Sequence, residues 1–267
     1  MSQDYKTDNV NLMIGDCLRR MKEIPDGSID CIIDDLPYNV TNKSSEAGKW
    51  DVLIPFEPLW DEFLRVAKEN AAMILFCQGI FTAQVMMSKP SLYRYSLVWD
   101  KCRSSGFLNS KKMPLRNHED ICVFYRKLPT YNPQMTKAEK GKETHTKGKA
   151  QNGESRTNRC YGNFVCTKDN DLTMKFPTSI LRFPRPHCTG NHPTEKSVDL
   201  CRWLVRTYTN DGETVLDATM GSGTTGVASI LEGRRFVGIE MEDKYFDVAK
   251  RRIKEAMATP KQGTIEI

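Results

Sequence analysis

Three features of the chain predict an α/β fold with a mostly parallel sheet. Short apolar runs recur at 10–16, 29–34, 71–76, 95–99, 120–125, 213–218 and 235–240, and continuous apolarity of this length suits strands buried on both faces. Stretches with helical spacing of apolar residues stand between several of them, as α/β alternation requires. Two of the runs lead into turns rich in polar or special residues, Asp35-Leu36-Pro37-Tyr38 and Asp217-Ala218-Thr219-Met220-Gly221-Ser222-Gly223. Such turns emerge at the carboxyl ends of strands, where open α/β sheets bind ligands.

The elements follow in order. VNLMIGD (10–16) and IDCIID (29–34) read as buried parallel strands, with helix between and after them. Residues 57–69 carry apolar positions at 59, 60, 63, 64, 66 and 67, the stripe of an amphipathic helix. AAMILF (71–76), YSLVW (95–99) and DICVFY (120–125) are further strands. From about 128 to 180 the periodicity disappears, and TKAEKGKETHTKGKAQNGESR has the composition of an insertion or a mobile loop. Regular structure resumes at Pro193, suited to the first turn of a helix whose apolar positions are 198, 200, 201, 204, 205 and 208. A strand at 213–218, a helix at 223–232, a strand at 235–240 and a helix from Asp243 close the chain as a βαβα unit. The expected division is 1–127, an insertion at 128–185, and 186–267.

Composition narrows the function. The 267 residues are 27% charged and 39% hydrophobic, and no apolar run approaches the roughly 20 residues of a bilayer span. The polar start MSQDYKTDNV does not resemble an export signal, so the expectation is a cytoplasmic protein. Nine cysteines are scattered without a CxxC pair, the pattern of reduced and mostly buried thiols rather than of a metal site. His187, Cys188 and His192 are too loosely arranged to predict a metal, and none is expected. The formal charge of +5 is regional: residues 126–175 hold 11 basic against 5 acidic side chains, leaving 28 against 29 elsewhere. With Tyr131, Tyr161 and Phe164 interleaved, that segment suits a surface that tracks phosphates, and equally a solvated loop.

Gly221, Gly223 and Gly226 satisfy GxGxxG, and Glu240 ends the next strand, where a ribose-binding carboxylate belongs. A nicotinamide dinucleotide and S-adenosylmethionine both fit that spacing, as does a tight turn with no ligand. Two details favour the methyl donor. Four residues, Asp217-Ala218-Thr219-Met220, separate strand from glycine where a pyrophosphate site would have its first glycine directly at the strand end. A carboxylate at Asp217 also suits an ammonium better than a phosphate.

Asp35-Leu36-Pro37-Tyr38 resembles the (D/N/S)PP(Y/F) motif of amino-group DNA methyltransferases, and DATMGSGTT (217–225) resembles their DPFxGSGTT motif. His192-Pro193-Thr194-Glu195-Lys196-Ser197 is similar to their HPTxKP segment, while Asn117-His118-Glu119 and Gly15-Asp16 match two further family segments. The order, catalytic motif before cofactor motif with an insertion between, resembles the permuted β group. Leu36 and Thr219 depart from the pattern, standing where the family has proline and phenylalanine.

That resemblance implies a Rossmann-like methyltransferase fold with a mostly parallel seven-stranded sheet flanked by helices and a target-recognition insertion. It implies S-adenosylmethionine as cofactor, duplex DNA as substrate, and a homodimer and a cognate restriction enzyme as partners to be considered. Asp35, Leu36, Pro37 and Tyr38 would be catalytic: the Asp35 carboxylate and Leu36 carbonyl accept hydrogen bonds from an exocyclic amine, restoring its lone pair, and Tyr38 stacks on the flipped base. Cofactor contacts are implied for Asp16, Cys17, Thr194, Lys196, Asp217, Thr219, Met220, Gly221, Ser222, Gly223, Thr224, Thr225, Glu240 and Met241, with Thr194 and Lys196 near its carboxylate. DNA contacts fall to Lys43, Lys49 and Trp50; to Lys111, Lys112 and Arg116; and, in the basic insertion, to Lys137, Lys140, Lys142, Lys147, Lys149, Arg156 and Arg159. Aspartate at position 35 favours adenine N6 over cytosine N4. An NAD-dependent dehydrogenase and a noncatalytic nucleic-acid binder are the alternatives from other classes.

Overall fold

The computed structural model describes residues 2–39, 51–138, 155–158, 162–165, 173–186 and 195–259, with backbone alone for 155–158 and 162–165. The chain opens with β1 (Tyr5–Lys6), β2 (Val10–Ile14), α1 (Cys17–Arg20) and β3 (Ile29–Asp34). Next come α2 (Phe56–Val66), β4 (Ala67–Cys77), α3 (Ile80–Ser88), β5 (Tyr93–Ser105) and β6 (Arg116–Phe124). The short strands β7 (Thr136–Lys137), β8 (Ser155–Asn158), β9 (Gly162–Val165), β10 (Met174–Lys175) and β11 (Ile180–Arg182) follow. The last part is α4 (Val198–Tyr208), β12 (Thr214–Asp217), α5 (Thr224–Leu231), β13 (Arg235–Glu240) and α6 (Asp243–Ala258).

One nine-stranded sheet has the order β1-β2-β13-β12-β3-β4-β6-β5-β11. The seven strands of the expected sheet are all present; β1 and β11, two and three residues long, extend its edges. From β2 to β4 every neighbouring pair is parallel, and β6 runs antiparallel to β4 and β5. Parallel pairing aligns the carboxyl ends of β2, β13, β12, β3 and β4 along one edge. Because β12 pairs directly with β3, through Val215 with Cys31 and Leu216 with Ile32, two segments distant in sequence end side by side.

Period-two alternation decides which layer each residue joins. Cys31 and Ile33 of β3 join a core with Leu204 and Tyr208 of α4, Ala228 of α5 and Phe246 and Ile253 of α6. Ile32 points to the other layer, with Trp60 and Phe63 of α2 and Phe81 and Val85 of α3. In α2 the buried residues are Leu59, Trp60, Phe63 and Val66, the spacing expected of one helical face. The Trp60 indole N–H donates to Ser88 Oγ at 2.8 Å, so its polar atom is satisfied within the packed layer.

Two expectations change at the boundaries. The helix expected from Pro193 begins at Val198, and Glu195, Lys196 and Ser197 precede it as irregular backbone. Residues 128–132 and 179–185, expected in the insertion, belong to the main unit, which comprises 1–132 and 179–265. Asn132 is tied there by its amide nitrogen, which donates to the carbonyls of Arg206 and Thr209 at 3.1 and 3.0 Å. Residues Pro133–Thr178 form a second unit. It is not without regular structure, since β7 pairs with β10 and β8 with β9 as antiparallel ribbons. Among the described residues no helix is long and apolar enough to cross a membrane. Five of the six described cysteines, at 17, 31, 77, 122 and 201, are buried as free thiols, and Cys102 is exposed.

Candidate active site

A cavity of about 580 Å³ opens on the sheet edge where the parallel strands end. Its wall draws on 15–18 after β2, 35–38 after β3, Phe76 and Gln78 around the end of β4, 217–222 after β12, and Glu240 and Met241 after β13. Thr224, Thr225, Tyr245, Glu119, Glu195, Lys196 and residues 51–55 complete it.

The β3 end carries the densest polar network. Asp35 Oδ2 accepts from Lys196 Nζ at 2.5 Å, and Asp35 Oδ1 accepts from the Tyr38 hydroxyl at 2.8 Å. Lys196 is only 8% exposed and also faces Glu119 Oε2 at 3.4 Å, while Glu119 Oε1 meets Lys101 at 3.2 Å. Burial would lower the Lys196 pKa, but Asp35 and Glu119 together raise it above the ordinary lysine value. Glu119 is pushed up by burial and more than pulled back by Lys196 and Lys101, ending below the usual carboxylate range. Two buried cations thus balance two carboxylates, the arrangement that makes burial of such charges tolerable. Lys196, expected beside the cofactor's carboxylate, lines the cavity from within this network.

Tyr38 stacks on Phe81 with ring centroids 4.8 Å apart. Leu36 is 3% exposed and packs in the same apolar layer as Leu216, Ala218 and Ile239. Burying a leucine is worth about 2 kcal/mol, so the side chain fixes a turn that lacks the family's first proline.

The β12 end is built differently. Asp217 is buried, accepts from the Thr219 N–H at 3.2 Å, and lies within electrostatic reach of Asp34. Burial first, and Asp34 second, raise its pKa well above the ordinary value. Asp34 is pushed up to about 6 by burial, against hydrogen bonds from the Thr219 hydroxyl and the Ala218 N–H, the latter at 3.1 Å. The Thr219 hydroxyl also lies 3.1 Å from the Asp35 carbonyl. The residue that departs from the family's phenylalanine therefore bridges the two strand ends.

The glycines of the turn differ in their surroundings. Gly221, with φ 50°, lines the cavity, and its N–H donates to Glu240 Oε2 at 2.8 Å. Gly223 does not line it: an added Cβ would lie 2.8 Å from that of Ala249 on α6. At Gly226 it would lie 2.5 Å from Ile253 and 2.6 Å from Phe236. These two glycines permit helix and strand to pack closely. The second oxygen of Glu240 accepts the Glu242 N–H at 2.8 Å, and burial raises the carboxyl above its ordinary value. Asp16 caps α1 by accepting the Arg19 N–H at 3.0 Å, and burial pushes the neighbouring Cys17 thiol up to about 12. Met220, Ser222 and Met241 line the wall as expected.

Several residues on or behind the wall carried no signal strong enough to be singled out. Glu119 stood in a recognised segment without a role, because its partners are 18 and 77 positions away. Arg252 on α6 pairs with Glu195 at 2.6 Å and donates to the Ser222 carbonyl at 2.6 Å, which fixes the glycine turn from outside. Asp51 accepts the Asn39 N–H at 2.7 Å, bringing the two described ends around 40–50 together. Of the expected DNA contacts, Lys111, Lys112, Arg116 and Lys137 are exposed. Lys43, Lys49, Trp50, Lys140, Lys142, Lys147, Lys149 and Arg159, the cofactor residue Thr194, and His187, Cys188 and His192 lie outside the described residues, as does the Arg156 side chain.

The donor set fits S-adenosylmethionine. Burial and the neighbouring Asp34 raise the pKa of the wall carboxylate Asp217, so a bound cation would relieve an existing electrostatic cost. An NAD pyrophosphate would instead add negative charge beside Asp217.

A family model described as DNA methylase, of the N6/N4 type, matches residues 29–251. DNA adenine methyltransferase YhdJ of Escherichia coli K12 is 30% identical over 255 residues, covering 91% of this chain and 82% of that protein. Among solved structures, M1.HpyAVI in its S-adenosylmethionine complex superposes with a TM-score of 0.61 at 21% identity, covering 91% of this chain and 98% of that one. PvuII DNA methyltransferase, described as cytosine-N4-specific, gives 0.64 at 15% identity, covering 95% and 93%. These matches displace the dehydrogenase reading of the glycine turn. The chain belongs to the N6/N4 DNA methylase family and is an S-adenosylmethionine-dependent DNA methyltransferase.

Proposed function

We propose that the protein methylates N6 of adenine at a specific sequence in duplex DNA, as a cytoplasmic enzyme. The observation that carries this reading is Asp35, a carboxylate on the cavity wall whose two oxygens are oriented by Lys196 and Tyr38. An exocyclic amine is a poor nucleophile because its lone pair is delocalised into the ring. Asp35 and the Leu36 carbonyl would accept hydrogen bonds from its two N–H groups, draw the nitrogen toward tetrahedral geometry and aim the lone pair. S-Adenosylmethionine, when bound, supplies the methyl group on a sulfonium. Asp217 and Glu240 would hold its ammonium and ribose, with Asp16 near the adenine. Phe81 covers one face of Tyr38, and the other face would receive a base extruded from the duplex.

Adenine is favoured by aspartate at position 35 and by the similarity to an enzyme named as a DNA adenine methyltransferase. Cytosine N4 is the second reading, since its amine also presents two hydrogens to Asp35. The unit at 133–178, with the exposed Lys111 and Lys112, would supply target recognition and phosphate contacts. Methylation of a random-sequence DNA library, followed by nucleoside analysis and site mapping, tests the proposal. N6-methyladenine at one motif is expected; N4-methylcytosine alone would replace adenine by the second reading.

A further inference from the structure

The hairpin between β5 and β6 ends in a tip that the core does not use. Phe107, Leu108, Met113 and Leu115 are 76%, 82%, 55% and 44% exposed, more apolar surface than one short turn ordinarily leaves in water. The tip is nevertheless tied by hydrogen bonds. Gly106 takes φ 87°, the Asn109 N–H donates to the Gly106 carbonyl at 2.9 Å, and the N–H groups of Lys112 and Met113 donate to the Asn109 carbonyl at 2.8 and 3.0 Å. At its base Asn117 Nδ2 donates to Asp100 Oδ1 at 2.7 Å, and Ser105 Oγ donates to the Arg116 carbonyl at 3.2 Å.

Its place in the fold connects it to the active site. Arg116 Nη1 donates to Gln78 Oε1 at 3.1 Å, and Gln78 lines the cavity. The tip therefore begins within about one side-chain length of the rim. Residues 103–116 carry four basic side chains and no acidic one, a charge balance complementary to a polyanion rather than to an ordinary protein surface.

We propose that Phe107 and Leu108 form an apolar wedge that enters the base stack next to the target, while Lys111 and Lys112 engage the flanking phosphates. Extruding a base costs a few kcal/mol of unstacking and unpairing. Apolar side chains placed against the exposed base faces recover part of that cost, as in other proteins that open or bend DNA. The inference rests on the DNA-methylation and base-extrusion reading given above.

The test compares two duplexes carrying the mapped site, one fully paired and one with an abasic position opposite the target base. The double variant Phe107→Ala/Leu108→Ala alters exposed side chains, and its thermal midpoint reports whether folding is retained. We expect its single-turnover methyl transfer to fall about tenfold or more on the paired duplex and about threefold or less on the abasic-opposed one, where little pairing energy remains to be overcome. Lys111→Ala/Lys112→Ala is expected to weaken binding to both duplexes alike. Equal losses of the wedge variant on both duplexes, or none on the paired one, would overturn the proposal. So would a fall in self-association of the variant by sedimentation, which would make the tip a contact between copies. Failure of the unaltered enzyme to methylate either duplex would instead count against the base-extrusion reading itself.

Discussion

At the end of β3, Asp35 meets a lysine ammonium at 2.5 Å and a tyrosine hydroxyl at 2.8 Å. One strand away, at the end of β12, Asp217 meets the field of another buried carboxylate, Asp34. The protein pairs the first acid with a cation and gives the second only hydrogen bonds against burial and the field of Asp34. Under the proposed function that difference would divide the work, with Asp35 held in place as an acceptor beside Lys196 and Asp217 attracting a cation that arrives from solution. Neighbouring carboxylates on one sheet edge acquire different chemistry from what the rest of the chain brings against them.

The sharpest way to break the contrast is to remove the balanced acid. Asp35→Ala should lower the methyl-transfer rate by about a thousandfold, comparable to losing a preorganised transition-state contact, with S-adenosylmethionine affinity within about threefold by calorimetry. Loss of cofactor binding to the same extent would assign Asp35 to the other end of the cavity. Asp217→Asn should do the reverse: dissociation of S-adenosylmethionine should rise about tenfold to a hundredfold, the worth of a charge-assisted contact, and saturating cofactor should restore most of the rate. An unchanged affinity would refute the cation-attracting role.

Asp34 sharpens the comparison through stability. Its carboxyl is raised from 3.8 to about 6 by burial, so the folded state binds a proton more tightly than the unfolded one between those values. Its contribution to stability is therefore complete below about pH 4 and declines as pH rises through about 6. Asn at this position keeps an acceptor for the Ala218 N–H and a donor toward Thr219 without the charge. Asp34→Asn should gain on the parent by on the order of 2 kcal/mol between pH 4 and pH 7 in denaturant titrations. A constant difference across that range would contradict it.

The smallest expected effect belongs to Glu119→Gln. The Asp35 carboxyl is raised by burial, lowered by Lys196 and raised again by Glu119. Removing the Glu119 charge should move the acidic limb of the rate profile to lower pH, with a rate loss of about tenfold or less because Lys196 then pairs with Asp35 alone. An unmoved limb would make Glu119 a packing residue.

Much of this site was legible along the chain because it is local. Apolar runs of strand length, a glycine turn after one of them and Asp35-Leu36-Pro37-Tyr38 after another depend on neighbours in sequence. Their order along the chain is preserved in any fold. The seven main strands, the cavity-lining Asp16, Asp35, Asp217, Gly221 and Glu240, and the family all followed from those signals. Helix and insertion boundaries did not, because Lys196 and Asn132 take positions set by distant partners. The motif around Lys196 implied a place at the cofactor, but its carboxylate partners Asp35 and Glu119 stand 161 and 77 positions away and meet it only through β3 and β6. GxGxxG likewise leaves open what each glycine serves until α6 closes over Gly223 and Gly226. The sequence by itself determined which strand ends carry chemistry, since backbone patterning is a short-range property. Only the tertiary structure decided which charge faces which, because burial and pairing between residues remote in the chain set both the pKa of each acid and the ligand it can hold.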